Sequence, residues 1–292
     1  MEFQKLTLDC IETLKPFFEE NNCRICDFTL GGTFLWRDYH KTQYAIADDL
    51  LYLKVAYPEP ALAPPRGKAG AAVGRRAYER IIDASAPAVI CAVTKPVLDD
   101  ILEMFPRSAV RTDRAWSDYL YLSDDIVNLA GRKFSGQRNH INRFKRENPV
   151  WSFAPITANN LTEARDFIEK YSREHLKDSA AYSEGNKKTL EALCNLDLYG
   201  AFGGMLYVNG AAVGVTLGET VGDTLYIHAE KADTDYHGAY PMLMNQFAKM
   251  FAHDGIKYIN REEDDGVEGL RISKLSYHPT ALLDKYIVEI QT

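Results

Sequence analysis

The segment 199–232, YGAFGGMLYVNGAAVGVTLGETVGDTLYIHAEKA, contains three runs of strand-forming residues separated by two short turns. The runs cover 199–208, 211–219 and 224–232. Between the first two stands Asn209-Gly210, the strongest short-range signal for a β-hairpin. We therefore expect an antiparallel three-stranded meander at the centre of the second half of the chain.

The elements around this meander predict a sheet flanked by helices. Helical spacing is present at 161–176 and 186–193 before it, and at 239–253 after it. A strand at 257–260, a helix at 267–275 and a closing hairpin around Asp284-Lys285 complete the half. This order indicates a mixed, mainly antiparallel sheet with helices on its faces.

The first half also alternates helices and strands. Residues 56–72 read as a surface loop, because Pro58, Pro60, Pro64 and Pro65 disfavour a helix or a central strand there. The other predicted elements are a helix at 8–18, a hairpin of 44–47 with 50–55, a helix at 75–84, a strand at 88–93, a helix at 96–105, a strand at 119–122 and a helix starting at Ser123. The fold class is α/β (α+β), with an N-terminal domain at 1–131, a basic connecting helix at 132–149 and a C-terminal domain at 150–292.

Composition excludes several classes of protein. The chain has 292 residues, 46% hydrophobic and 26% charged, which fits two packed domains. No stretch has the roughly 18 to 20 uninterrupted apolar residues of a membrane helix, and the N-terminus lacks signal-peptide features, so a cytoplasmic location is expected. With a formal net charge of −7, nucleic acid or anionic lipid would have to bind at a local basic patch.

Three stretches carry a resemblance to known proteins. They are DFT (27–29) with FLWRDY (34–39), DYLY (118–121) with GRKFSGQRNHINRF (131–144), and NREEDDGVEGLRISKLSYHP (260–279). The chain resembles a family of unknown function related to the C-terminal domain of phosphatidylglycerol lysyltransferases. That resemblance implies two GNAT-like (acyl-CoA N-acyltransferase-like) domains in tandem. It also implies kinship with enzymes that transfer an aminoacyl group from charged tRNA to a lipid headgroup or a peptidoglycan-precursor amine.

The resemblance leaves two questions open. The first half reads as a degenerate copy of the second, although no residue-level internal repeat is visible. The lysyltransferases carry a membrane-embedded domain to which no stretch of this sequence corresponds. The acceptor therefore stays open between a lipid headgroup and a small molecule, and the oligomeric state stays open as well.

A basic run predicts contact with the phosphates of a donor substrate. Six cations lie between Arg132 and Arg146, and Lys133, Arg138, Arg143 and Lys145 are the candidates for contact with tRNA or acyl-CoA. The alternative is a solvated helix whose charges pair with acids elsewhere. His237 and Gly238 stand where acetyl-CoA-using GNAT proteins bind pyrophosphate at a helix N-terminus, and they are further candidates.

The acidic run 262–265 follows a predicted strand, which is where ligands gather in α/β folds. Glu262 or Asp264 is predicted to bind or deprotonate an acceptor amine, because crowded carboxylates raise one another's pKa. The alternative is capping of the following helix. Tyr240, at the start of a helix beside the meander, is a candidate proton donor.

Five residues are predicted to bind substrate by their positions. Glu230 and Lys231 end the third strand of the meander, and Arg261, Arg271 and Lys274 lie close to the acidic run. Ordinary ion pairing is the alternative for the cations. No metal is expected, because Cys23 and Cys26 have CxxC spacing without a second pair of ligands.

These patterns predict an aminoacyl- or acyltransferase that moves an activated acyl group from aminoacyl-tRNA or acyl-CoA to an amine or hydroxyl acceptor. The alternative is a non-catalytic GNAT scaffold that binds a small ligand, a peptide or RNA. A P-loop, a G-x-S-x-G elbow and an HExxH motif are missing from the sequence, which disfavours those enzyme classes.

Overall fold

A computed structural model describes residues 1–19, 22–56, 58–68, 73–175, 180–253 and 255–291, and side chains of 180–182 are left aside. The chain forms two compact units. The first consists of Met1–Asp118, Glu263–Val267 and Leu282–Thr292, and the second of Tyr119–Glu262 and Glu268–Ala281. No helix among the described residues is both long and apolar enough to span a membrane.

The strands of the described ranges are, in chain order, β1 (Gln4–Lys5), β2 (Gln43–Ala47), β3 (Leu50–Val55), β4 (Ala61–Leu62), β5 (Arg66–Gly67), β6 (Val89–Val93), β7 (Ala109–Thr112), β8 (Asp118–Leu122), β9 (Trp151–Pro155), β10 (Phe202–Val208), β11 (Ala211–Val221), β12 (Thr224–Ala232), β13 (Tyr258–Asn260), β14 (Ala281–Leu283) and β15 (Tyr286–Glu289).

The α-helices of the same ranges are α1 (Ile11–Leu14), α2 (Leu30–Leu35), α3 (Arg75–Ala84), α4 (Lys95–Met104), α5 (Ser123–Asn128), α6 (Ser135–Glu147), α7 (Leu161–Glu174), α8 (Ala180–Leu193), α9 (Leu196–Tyr199), α10 (Ala239–Phe251) and α11 (Glu268–Leu275). Short 3-10 helices cover Leu8–Cys10, Lys15–Phe17, Cys26–Phe28, Arg114–Trp116 and Arg132–Phe134.

The sheet of the first unit has the order β1-β2-β3-β4-β6-β15-β7, with β5 paired to β3. Its described pairs are antiparallel except for β4 and β6, which run parallel with Leu62 opposite Ile90. Helices α3 and α4 bury Ile81 and Ile101 in a core that also contains Ile90 and Val288. The amphipathic spacing of these helices therefore serves one shared apolar core.

The sheet of the second unit has the order β14-β8-β13-β12-β11-β10-β9. Strands β9 to β12 form an antiparallel meander, β12 and β13 run parallel, and β13 pairs antiparallel with β8. Phe144 of α6 and Phe247 of α10 are fully buried in the core of this unit with Leu206 and Ile259.

The two sheets have equivalent strand orders, and each is completed by a strand from the other half of the sequence. In the first sheet β15 lies between β6 and β7, and in the second β8 lies between β13 and β14. In each sheet the parallel pair of strands lies next to the inserted strand: β4 and β6 beside β15, and β12 and β13 beside β8. This correspondence supports the interpretation of the first half as a degenerate copy of the second.

Several predicted elements are confirmed. Helix α3 occupies 75–84 and α6 occupies 135–147, as expected. The hairpin of β2 and β3 turns at Asp48 and Asp49, and that of β10 and β11 turns at Asn209-Gly210; all four turn residues have positive φ. Such a conformation matches the right-handed twist of the flanking strands.

Other expectations are wrong. The closing hairpin around Asp284-Lys285 does not form, because β14 and β15 belong to different sheets. Residues 56–72 are not all loop: β4 and β5 lie within them, although Tyr57 and 69–72 are outside the described residues. Two-residue strands are too short to produce a period-two pattern. The segment 132–149 lies inside the second unit, and neither unit is one continuous stretch of sequence.

Candidate functional site

Strand β12 is irregular where it carries polar side chains. Thr216 of β11 is paired with Glu230, Leu217 with Ala229 and Gly218 with Ile227, so that His228 is the extra residue of a β-bulge. Bulges bend a strand and redirect a side chain, and they are common next to active sites. The bulge therefore marks this part of the second unit as a candidate site.

A buried ion pair joins β12 to the end of β13. Arg261 donates from Nε (3.0 Å) and Nη2 (2.6 Å) to the same oxygen, Oε2 of Glu230. The two side chains are 8% and 13% exposed. Burial by itself lowers the pKa of Arg261, but Glu230 and neighbouring phenols raise it well above its usual range. Arg261 therefore stays a cation beside a carboxylate.

Three buried polar atoms around this ion pair have no hydrogen-bond partner among the described residues. They are Oε1 of Glu230, Nη1 of Arg261 and Oγ1 of Thr216. Thr216 lies directly opposite Glu230, so the two side chains share one face of the sheet. Because buried polar groups in proteins are nearly always hydrogen-bonded, the unused donor and acceptors indicate a place for a polar ligand.

Two tyrosines stand at the same end of the unit. The hydroxyls of Tyr171 in α7 and Tyr240 in α10 are 2.9 Å apart. Burial, then Tyr171, raises the pKa of Tyr240 well above its usual range, with a smaller contribution from Glu230. The Tyr240 phenol therefore keeps its proton and lies within electrostatic reach of the Glu230 carboxylate.

His228 links two glutamates of the second unit. Its Nε2 is 2.8 Å from Oε1 of Glu219, and its Nδ1 is 2.7 Å from Oε1 of Glu262. Burial by itself lowers the pKa of His228, but the bonds with Glu219 and Glu262 raise it to about 10. The ring is therefore an imidazolium that donates to both carboxylates, and Glu262 is bound to it rather than free to accept a proton.

The Asp264 side chain contacts residues of the first unit. Its side chain is fully buried, 3.4 Å from Nη1 of Arg114, and its Oδ1 accepts from the backbone N–H of Gly266. Such an Asx turn is a common way to stabilise a loop. These contacts hold the loop that precedes α11, which begins at Glu268.

The predicted basic side chains of α6 make local contacts. Arg138 donates to the carbonyls of Leu129 and Gly131, which follow α5. Lys133 pairs with Asp125, Arg143 pairs with Glu147, and the ammonium of Lys145 lies 5.1 Å from the ring centroid of Trp151. The exposed pairs are weak enough for a polyanion to replace their partners, whereas Arg138 closes the end of a helix.

The turn before α10 is packed closely against α6. Gly238 has φ +82°, and an added Cβ would lie 2.4 Å from the carbonyl oxygen of His140 in α6. The Ala239 N–H donates to Tyr236, and Pro241 has no N–H. Two backbone positions at the start of α10, Ala239 and Pro241, therefore have no N–H available to a pyrophosphate.

The remaining predicted binders lie on or near α11. Lys274 donates to the backbone carbonyl of Arg261 (2.6 Å), and its own carbonyl accepts from Tyr121 (2.8 Å). Arg271 is half-buried on the same helix. Lys231 places its ammonium 5.6 Å from the ring centroid of Tyr171. The structure thus brings Glu230, Arg261 and Tyr240 to one end of the unit, with Lys231 at Tyr171.

The first unit contains a second cluster that the sequence did not reveal. Nζ of Lys285 lies 2.5 Å from Asp27, 2.7 Å from Asp118 and 3.3 Å from Glu263. Cys26, Asp27 and Asp118 present ligand atoms within 4.8 Å of one another, an arrangement that can hold a metal ion. The Lys285 ammonium contacts all three, with Sγ of Cys26 at 3.6 Å, and so already supplies a positive charge there.

Comparison with known proteins agrees with the resemblance found in the sequence. A conserved protein of unknown function from Bacteroides thetaiotaomicron superposes with a TM-score of 0.91 and 32% identity over 100% of both chains. L-PGS from Bacillus licheniformis gives a TM-score of 0.65 at 14% identity, covering 96% of this chain and 91% of that one. FemX gives a TM-score of 0.59 at 8% identity, and the match covers 100% of this chain and 98% of FemX. The predicted tandem GNAT-like fold is confirmed.

An uncharacterised protein of Mycoplasmoides gallisepticum is 24% identical over 178 residues. The match covers 60% of this chain and 56% of that protein, so the chain spans little more than half of this curated relative. A family model described as phosphatidylglycerol lysyltransferase, C-terminal, matches residues 21–289. Since this match includes nearly all of the sequence, the chain belongs to the family of phosphatidylglycerol lysyltransferase C-terminal domains.

Proposed function

We propose that the second unit transfers an activated acyl group, in the first instance the aminoacyl group of a charged tRNA, to an amine or hydroxyl acceptor. The observation that supports this most is the buried pair of Glu230 and Arg261, which leaves one acceptor and one donor unused at the same place. A nucleophile with a proton to lose and a carbonyl that gains negative charge need these two groups.

The roles follow from the contacts. Oε1 of Glu230 accepts a proton from the attacking amine, while Oε2 is held by Arg261. Nη1 of Arg261 donates to the carbonyl oxygen of the donor. The Tyr240 hydroxyl gives its proton to the departing oxygen, because its raised pKa keeps it protonated until a stronger base forms. Glu230 thus replaces Glu262 and Asp264 as the proposed base.

Two observations favour charged tRNA over acyl-CoA as the donor. The turn at His237 and Gly238 is packed against α6, and beside it the N–H of Ala239 is already bonded while Pro241 has none. The exposed side chains of Arg132, Arg143 and Arg146 provide cations along a helix instead, which suits an extended phosphate backbone. The lipid headgroup and the small-molecule amine both stay as candidate acceptors.

The proposal is tested by incubating the full chain with tRNA charged with radiolabelled amino acids, or with labelled acetyl-CoA, plus extracted lipids or a panel of amines. We expect label to move from tRNA to an acceptor. Glu230→Gln should lower the rate at least about 100-fold, and the exposed control Glu147→Gln should change it by less than about twofold.

Transfer from acetyl-CoA alone would contradict the choice of donor. Binding of charged tRNA without transfer to any acceptor would contradict the catalytic proposal, and the non-catalytic scaffold would then be the better description. Equal losses in Glu230→Gln and Glu147→Gln would remove Glu230 from the mechanism.

A further inference from the structure

Helices α7 and α8 of the second unit pack against each other around a cavity of about 210 Å³. Its described lining consists of Ser172, His175, Ser183, Asn186, Lys187 and Leu190. The four of these residues that belong to α8 recur at intervals of three and four, so they share one face of that helix. A cavity of about 150 Å³ holds a benzene molecule. The space between α7 and α8 therefore has room for a benzene ring with a small polar group.

Asn186 is a buried part of this lining, and its side-chain oxygen is unused. The residue is 3% exposed, and Oδ1 is buried with no hydrogen-bond partner among the described residues. A buried amide that lacks a partner costs free energy, and buried polar groups in proteins are nearly always hydrogen-bonded. The amide of Asn186 therefore indicates that a polar ligand occupies the cavity.

The α7 side of the cavity supplies an acceptor and a fixed ring. Ser172 donates its hydroxyl proton to the carbonyl of Ile168 (2.7 Å), so its oxygen can only accept a hydrogen bond from a ligand. Nδ1 of His175 donates to the carbonyl of Tyr171 (2.8 Å), and the two rings are stacked with centroids 4.2 Å apart. With oxygen acceptors on both helices, the cavity suits a ligand that carries N–H or O–H groups.

The charges around the cavity disfavour an ionised head group. Its described lining contains no acid. Lys187, whose side chain is 71% exposed, lies 3.8 Å from Glu184, and Glu184 also lies 4.0 Å from Lys188. An ammonium in the cavity would have no carboxylate partner in this lining, and a carboxylate would place its acceptor atoms against the oxygens of Ser172 and Asn186. A neutral head group avoids both costs.

We propose that this cavity is a binding site for a small neutral molecule with a primary carboxamide. The carboxamide of Asn186 can form two hydrogen bonds with that of the ligand, one in each direction, since each group has an acceptor oxygen and N–H donors. The second N–H of the ligand donates to Ser172, and the apolar part of the ligand lies against Leu190. No residue of the proposed transfer site takes part, so the binding site does not rest on the proposed function.

The test uses three probes that share a benzene ring and differ in the head group: benzamide, benzoate and benzylamine. Their binding to the full chain is measured by titration with ligand-observed NMR. We expect benzamide to bind with a Kd of about 1 to 10 mM, the range for a ligand with so few atoms. Benzoate and benzylamine should bind at least about fivefold more weakly. Equal affinity for the three probes, or no saturable binding of benzamide, overturns the proposal.

Variants of Asn186 locate the binding. We expect Asn186→Leu to weaken benzamide binding at least about fivefold, because the amide partner is lost. Asn186→Asp places a carboxylate in the cavity, and this variant should bind benzylamine more tightly than benzamide. The control is Asn159→Leu, which changes an exposed asparagine before α7 and should bind benzamide as the wild type does.

Unchanged affinity for benzamide in Asn186→Leu would place the probe elsewhere and overturn the site. Thermal unfolding identifies a variant that is misfolded. If Asn186→Leu fails to fold, Asn186→Asp, which has the same size as the wild-type residue, supplies the deciding comparison, and a preference for benzamide that survives in Asn186→Asp overturns the site.

A carboxamide can enter the cavity on a free small molecule or as the side chain of glutamine or asparagine in a longer chain. Two competitors of benzamide distinguish these sources: butanamide, and N-acetylglutamine N-methylamide, which carries the side chain between two peptide bonds. Displacement by butanamide alone indicates a free molecule, and displacement by the glutamine derivative indicates a side chain. Displacement by neither would mean that benzamide binds through its ring, which overturns the carboxamide as the recognised group.

Discussion

Nζ of Lys285 lies 2.7 Å from Oδ1 of Asp118, a carboxylate with no solvent exposure. Burial by itself lowers the pKa of Lys285, but Asp118 and the other acids raise it well above its usual range. The ammonium is therefore the charge that makes the burial of Asp118 tolerable. Removing one partner of a buried ion pair leaves an uncompensated charge.

We predict that Lys285→Met lowers the free energy of unfolding by about 3 to 5 kcal/mol, measured by urea denaturation. The control is Lys95→Met, which breaks an exposed pair with Asp99 and should cost less than about 1 kcal/mol. Adding Asp118→Asn to Lys285→Met should recover part of the loss. Equal costs for Lys285→Met and Lys95→Met would show that the ammonium does not compensate the acids.

A dependence of stability on pH follows from His228. Its pKa is about 10 in the folded chain and about 6.5 in an unfolded one. Because the folded value is the higher, the stabilisation is fully present below about pH 6.5 and is lost as the pH rises through about 10.

We predict that wild-type stability falls between pH 7 and 10, and that His228→Gln, less stable at pH 7, falls less over the same range. The free energy of unfolding at several pH values measures this. The control His140→Gln changes an exposed histidine and should follow the wild-type curve. Parallel curves for wild type and His228→Gln would refute the charged state of His228.

The packing of α6 on the start of α10 can be tested at glycine. Gly238 and Gly200 are both left-handed (φ +82° and +63°, ψ 10° and 25°), but of the two only Gly238 would bring an added Cβ against another atom, the His140 carbonyl oxygen at 2.4 Å. Gly200→Ala should cost about 1 to 2 kcal/mol for the backbone conformation alone. We predict that Gly238→Ala costs about 1 to 3 kcal/mol more than that, as an overpacked site does. Similar decreases in unfolding temperature for both variants would mean that α6 moves away from the added methyl group at little cost.

The ion pair of Arg261 and Glu230 depends on the shape of the guanidinium as well as on its charge. Arg261→Lys keeps the charge but cannot give two N–H groups to Oε2 of Glu230. We predict a loss of about 1 to 3 kcal/mol in the free energy of unfolding. Arg146→Lys, on the exposed side of α6, is the matched control and should be neutral. A neutral Arg261→Lys would show that charge alone suffices.

Much of the fold could be predicted because its long elements have strong local signals. The bounds of α3 and α6 and the turn at Asn209-Gly210 follow from periodicity and turn chemistry. The assignment of β15 to the first sheet could not be predicted, since pairing between distant strands leaves no local pattern. The same holds for β4, with only two residues.

The sequence predicted which residues belong to the candidate site, but it did not predict the contacts between their side chains. Glu230, Arg261 and Tyr240 were singled out, and contacts across strands then gave them their arrangement. Thr216, Tyr171 and His228 were not predicted, because an isolated threonine, tyrosine or histidine is most often structural. A β-bulge at His228 depends on the register with β11, which the sequence alone does not state.

The position of β15 between β6 and β7 determines when the first unit can finish folding. Among the described strands, β7 pairs only with β15, which is synthesised after every strand of the second sheet. While the ribosome is still translating the second half, the first sheet has an open gap beside β6, and β7 has no neighbour to pair with. The N-terminal half of this protein therefore cannot reach its native state until the second half has been synthesised as far as β15, so the two halves of the sequence cannot fold one after the other.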